Sequence, residues 1–214
     1  ALKGRNHKTR WRKGLSVYAD SEDRRLCAMN RELCNAYAAY WGAFEQDLNH
    51  FYSGLNAFQM GSTFLDLAAT DEAWRDIFPD DEEADLYKRK LKKNVDSLGT
   101  IIPIAIDTTI KRLGANHPDR VWADISKADV MFLSEASEDR INRAYRQAIP
   151  KNMAFAWDSA KNQLQLFADL GIKTDLVAKI ISETEARIGP PKPQKQIPTS
   201  FVIFAGHMID TSDR

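Results

Sequence analysis

Residues 49–68 read NHFYSGLNAFQMGSTFLDLA, an apolar helical stretch that carries two glycines, Gly54 and Gly61, seven positions apart. A glycine inside a helix costs about 1 kcal/mol relative to alanine. Two on one stripe therefore mean either that the stretch is not helical or that something approaches its backbone closely. Phe51, Leu55, Phe58, Ser62 and Leu65 fall at helical spacing and predict a helix over 50–68. Close packing against neighbouring helices, with Ala57 and Ala68 adding to the small-residue surface, is the expected reason for the glycines.

The surrounding chain is read the same way. Leu26, Leu33, Tyr37, Trp41, Phe44 and Leu48 predict one helix over 21–48, started at Ser21-Glu22-Asp23. Residues 71–83 read as a turn-rich connection in which Pro79 ends whatever precedes it. A long helical block opens at 80–83, is expected to bend or split at Gly99 and Pro103, and closes at Gly114. Val121, Trp122, Ile125, Ala128 and Phe132 mark a fourth helix. SEDR at 137–140 starts a fifth, with Ile141, Tyr145 and Ala148 at spacings of four and three. Helices over 153–171 and 173–189 follow, each closed by a glycine.

After residue 118 alternate helices begin roughly 34–36 residues apart, and Trp122 and Trp157 stand 35 apart in matching helices. A period near 34 with two helices per unit is the pattern of tetratricopeptide stacking. The predicted fold is all-α: a tetratricopeptide-like array of α-α hairpins forming a right-handed helical solenoid over 1–189, with a short C-terminal strand or extended tail. PPKPQKQIP places four prolines at 190–198, so 190–200 reads as an extended linker. SFVIFAGHMID then reads as a strand, making 201–214 the start of a Rossmann-like unit or an ordered tail. The opening ALKGRNHKTRWRK does not read as a natural beginning, so the chain reads as a piece of something longer.

Thirty basic residues balance thirty acidic ones, which argues against a dedicated nucleic-acid binder. The basic run over 3–13, with Trp11 among its charges, is expected to be a solvated segment that packs Trp11 onto the first helices. No apolar run reaches the roughly 18–20 residues needed to span a bilayer, and no secretory leader opens the chain. Cys27 and Cys34 lie two turns apart on one predicted helix, about 10 Å and so too far for a disulfide. Both read as small buried hydrophobes of a reduced, cytoplasmic protein.

The order of phrases is more specific than the period. LKGRNHKTRW (2–11), AYWGAFEQDLNHFYSGLNAFQM (39–60), EADLYKRKL (83–91), HPDRVWADISKADVMFL (117–133), INRAYRQAI (141–149) and AWDSAKNQLQLFADLGI (156–172) follow one another. Together they resemble the TRAFs-binding region of the apoptosis-signal-regulating MAP kinase kinase kinases and, more closely, its bacterial tetratricopeptide-like relatives, over about residues 2–188. The phrase DxxxFYSGLNA (47–57) and the phrase PDRVWADISKADV (118–130) carry most of the resemblance. It implies a non-catalytic regulatory or interaction platform within a larger bacterial signalling protein. No kinase motif is present: the chain has no Gly-rich phosphate loop, HRD or DFG.

The expected partner is a protein, or an effector domain attached to this one, with no nucleic acid, membrane, cofactor or metal; the oligomeric state is left open. Tyr52 and Asn56, four apart on the glycine-bearing helix, are candidates for protein contact, together with Arg120 and Trp122. Asn56 reads either as a hydrogen-bond partner for a bound peptide backbone or as a buried amide tying two helices together. Gly206, His207 and Asp210 stand just past the C-terminal strand, where α/β sheets bind nucleotides, and are candidates for that role in the full-length protein. Two ligands are too few for a catalytic zinc, and no catalytic residue is assigned. The alternative reading is the helical regulatory half of a nucleotide-binding or nucleotide-processing enzyme whose active domain begins near residue 201.

Overall fold

A computed structural model describes residues 1–134, 136–151 and 153–188. The expected linker and strand, with Gly206, His207 and Asp210, lie outside the described residues. The described chain is all-helical: α1 (Leu2–Leu15), α2 (Ser21–Ala28), α3 (Arg31–Gln46), α4 (Phe51–Leu67), a 3-10 turn (Ala73–Ile77), α5 (Asp81–Leu113), α6 (Arg120–Leu133), α7 (Glu138–Ala148), α8 (Ala154–Asp169) and α9 (Thr174–Ile188).

Most helices lie against their neighbours in sequence. Helix α1 lies on α3, α3 on α4, α4 on α5, α5 on α6 and α6 on α7, while α9 packs on both α7 and α8. Helix α8 turns back to touch α2 and α6.

Helix α4 is the centre. A single buried stripe is expected for it, yet it is buried nearly all round: Ser53 through Gly61, Thr63, Phe64 and Leu67 are covered, whereas Phe51, Ser62 and Leu65 are only partly so. Neighbours on several sides explain this, since α3, α5 and α6 all pack against it. The glycines permit that enclosure. A Cβ on Gly54 would lie 2.2 Å from Ile102 Cδ1 and 2.9 Å from Phe44 Cδ2. One on Gly61 would lie 2.6 Å from Val95 Cγ2. Close packing is thus the structural reason for both.

Three local expectations change. The helix over 21–48 is two helices, because Asn30 takes an extended conformation and its Oδ1 accepts from the backbone N–H of Glu32 and Leu33, starting a new helix. Cys27 and Cys34 therefore sit on different helices, both as free, half-buried thiols, and Leu26 and Leu48 are exposed. The cap of α2 is Asp20, one residue earlier than expected, accepting from the Glu22 N–H at 2.6 Å. Helix α5 runs unbroken through Pro103. The ring removes the N–H that would bond the Gly99 carbonyl. Burial of Leu91, Val95, Leu98, Ile102 and Ile106 on both sides of that gap keeps the helix continuous.

Other boundaries fall where expected. Asp80 Oδ1 caps α5 through the Glu83 N–H at 2.8 Å, and Gly114 ends it with φ of 72°, a conformation that side chains disfavour. Helix α8 begins 34 residues after α6, and α9 begins 36 after α7. The two tryptophans do not match, however: Trp157 is buried, whereas Trp122 is 37% exposed.

Gly54→Ala is expected to destabilise the fold by about 1–3 kcal/mol, because the buried Ile102 and Phe44 must both shift. Adding Ile102→Val should recover part of that loss. At Gly99 a Cβ would lie 3.5 Å from Phe58 Cζ, so Gly99→Ala should gain up to about 1 kcal/mol from helix propensity. Urea unfolding of the four proteins checks both, and equal stability of Gly54→Ala and wild type would contradict the close-approach account.

Candidate functional site

The N-terminal basic segment keeps five of its six charges exposed, as expected, and turns only Lys8 inward. It folds as α1, whose buried positions Gly4, Trp11 and Leu15 form an inward stripe against α3. Trp11 packs as expected, and its Nε1 donates to the Ala28 carbonyl at 2.9 Å. A Cβ on Gly4 would lie 2.7 Å from the Tyr40 ring, so α1 also sits close on its neighbour. On its other flank His7 Nδ1 lies 2.7 Å from Glu32 Oε2.

Lys8 falls between Gly4 and Trp11 on the inward stripe. Its ammonium donates to three amide oxygens: Asn56 Oδ1 at 2.9 Å, Gln59 Oε1 at 3.0 Å and Gln163 Oε1 at 3.0 Å. These come from α4 and α8, so one side chain ties together parts of the chain up to 155 residues apart. Asn56 Nδ2 donates to the Tyr52 carbonyl at 2.9 Å, which turns its oxygen inward. Asn56 is therefore a buried amide joining α4 to α1. Gln163 Nε2 is buried without a hydrogen-bond partner.

Behind this cradle stands Asp129 of α6, whose Oδ1 accepts from the Tyr145 hydroxyl of α7 at 2.7 Å. Burial pushes the Asp129 carboxyl up to about 6, an effect that the Tyr145 hydrogen bond and the Lys8 charge only partly offset. Burial likewise holds the Lys8 amine down at about 7; the Arg12 charge lowers it further, while Asp129 opposes both. Tyr145 is raised well above its ordinary value by burial and by the facing carboxylate. An amine and a carboxyl that feel each other's charge are thus both shifted toward neutrality by burial. Lys8 and Asp129 each retain some solvent exposure.

A second feature lies on the surface. Trp122 of α6 and Phe155 of α8 are 37% and 54% exposed, with ring centroids 5.8 Å apart. At α6's first residue, Arg120 Nε donates to both carboxylate oxygens of Asp124, one turn along, at 3.0 Å, which holds its guanidinium in place. Tyr52 is exposed on α4, edge-on to His50. No hydrogen bond, ion pair or ring contact among the described residues joins Tyr52 or Asn56 to the Trp122–Arg120 pair. The four candidates therefore divide between two places.

Sequence reasoning missed Lys8, Gln59, Gln163, Asp129 and Tyr145 as a group. The available signal was the spacing of Gly4, Lys8, Trp11 and Leu15, in steps of four, three and four, which puts a lysine on an otherwise buried stripe. No group of three or more His, Cys, Asp or Glu among the described residues is placed to hold a metal ion. No helix there is long and apolar enough to cross a membrane. No family model, curated protein or solved structure matches the chain.

Between about pH 7 and 10.5 the folded state carries fewer protons on Lys8 than the unfolded state does. The Lys8 contribution to stability therefore rises with pH across that window. Asp129 is opposite in sense: folded, it holds more protons between 3.8 and about 6, so its contribution falls as pH rises there. Lys8→Met should flatten the alkaline rise in unfolding free energy by about 1–3 kcal/mol, read from urea melts near neutral pH and near pH 10. An identical pH profile in variant and wild type would refute the assignment.

Proposed function

We propose that the chain is a non-catalytic, tetratricopeptide-like interaction module of a larger cytoplasmic signalling protein of bacterial type, as its resemblance to the TRAFs-binding region implies. In this reading α6–α7 and α8–α9 are two successive helix pairs, and α6 and α8 are their first helices. The spacings of 34 and 36 residues support that pairing.

The observation that carries the proposal is the Trp122–Phe155 pair. Two large aromatic side chains remain exposed in mutual contact, across the first helices of consecutive pairs. Aromatic groups of this kind supply most of the energy at protein interfaces, because they bury much apolar area at little entropic cost. Arg120, already oriented by Asp124, would engage a partner's carboxylate or carbonyl without first losing rotamer freedom.

The test is a double variant of the full chain, Trp122→Ser with Phe155→Ser. Because Trp122 and Phe155 are partly covered, the double variant should lose about 1–3 kcal/mol and still fold, which a urea melt checks before binding is read. Affinity for the protein partner captured by the wild type should fall about tenfold or more. Unchanged affinity would reject this surface. If no partner is captured and calorimetry on the full-length parent instead shows nucleotide binding, the alternative of a helical regulatory arm on a nucleotide-binding enzyme replaces it.

A further inference from the structure

A lysine on a buried stripe carries a desolvation cost that methionine or leucine would avoid. The groups facing Lys8 explain what it gains. Three amide oxygens, on α4 and α8, converge to 2.9–3.0 Å of a single nitrogen. A primary ammonium has three N–H donors on one atom and matches such a cradle. A guanidinium spreads its donors over a planar fork, and a quaternary ammonium has none. Arg12, one turn further along α1, reaches the Asn162 carbonyl at 3.4 Å instead. Asp129 adds a carboxyl behind the cradle whose field attracts a cation without a direct ion pair.

None of the cradle residues belongs to α1. Asn56 and Gln59 are 5% and 3% exposed, and the Tyr52 carbonyl fixes the direction of Asn56. Gln163 and Lys8 keep partial exposure, so the cradle opens to solvent on their side. Helix α1 is held independently by Trp11, Leu15, the close approach at Gly4 and the His7–Glu32 contact. The Lys8 side chain can therefore leave while its helix stays.

We propose that Asn56, Gln59 and Gln163, backed by Asp129, form a recognition site for a primary ammonium group, which this chain fills with its own Lys8 and which an external amine occupies when Lys8 withdraws. The ligand class is an alkylammonium: a free polyamine or the lysine side chain of another protein. This site is separate from the Trp122–Phe155 surface and stands or falls without it.

The experiment uses the full chain carrying Lys8→Ala, titrated with n-butylammonium chloride by calorimetry and thermal melting, with tetramethylammonium chloride as the blank. The variant should bind n-butylammonium about tenfold or more tightly than tetramethylammonium, reflecting its charge-assisted hydrogen bonds. Gln163→Leu in the same background should abolish the difference, and the wild type, where Lys8 competes for the site, should bind n-butylammonium about tenfold or more weakly than the variant. If Lys8→Ala does not fold alone, the same titration is read as recovery of helical circular dichroism. Equal response to the two salts, no response, or a wild-type response equal to the variant's would overturn the proposal. Given binding, spermidine against an N-terminally blocked lysine peptide assigns the source of the amine by which binds more tightly.

Discussion

Helix α4 can be covered on several sides only because two of its residues carry no side chain where its neighbours cross. Gly54 meets Ile102 and the Phe44 ring; Gly61 meets Val95, Leu91 and Tyr37. These contacts fix the approach of α3 and α5, and α6 then stacks on α5 and on α4. Interiors pack at near-crystalline density, so a methyl group at either glycine must displace a buried neighbour. The same device recurs at Gly4, which lets α1 settle onto Tyr40. The loss of helix propensity at each glycine is offset by the apolar area that close approach buries.

An interior enclosed this tightly makes the polar residues in it conspicuous. Lys8, Asn56, Gln59, Gln163, Asp129 and Tyr145 come from five different helices: three hydrogen bonds join Lys8 to the amides, a fourth joins Tyr145 to Asp129, and Gln163 Nε2 stays unpaired. A hydrophobic side chain at position 8 would hold α1 against α4 and α8 without registering where it sits. The ammonium, by requiring three acceptors at once, sets that position sharply. Its desolvation and the raised carboxyl of Asp129 mean that this register is stabilised least where both groups are charged.

The aromatic pair on α6 and α8 belongs to a different logic. Trp122 and Trp157 are spaced as repeats would space them, yet one is partly exposed against Phe155 while the other is buried with its Nε1 near Glu185. Similar local sequence is put to structural use in one helix and left at the surface in the other.

Outside α1, which was read as a solvated segment, and the α2–α3 break, the helices and most boundaries were legible because their causes are local. A missing N–H at Pro79, a side-chain cap at Asp80 and a positive φ at Gly114 depend on a few adjacent residues. The two glycines in α4 were legible as a packing device for the same reason: their cost is local and asks for compensation. Asn30 was readable in principle as a cap, but the continuous apolar spacing around it concealed the break. Asn56 stood out from sequence, while Lys8 was lost among six basic residues in eleven positions that looked like a solvated run. What only the tertiary structure decided was which neighbour covers each face. That choice turned Lys8 inward onto three amide oxygens, enclosed α4 on several sides and kept α5 whole through Pro103, because burial is a property of the packed partners and not of the helix that carries the residue.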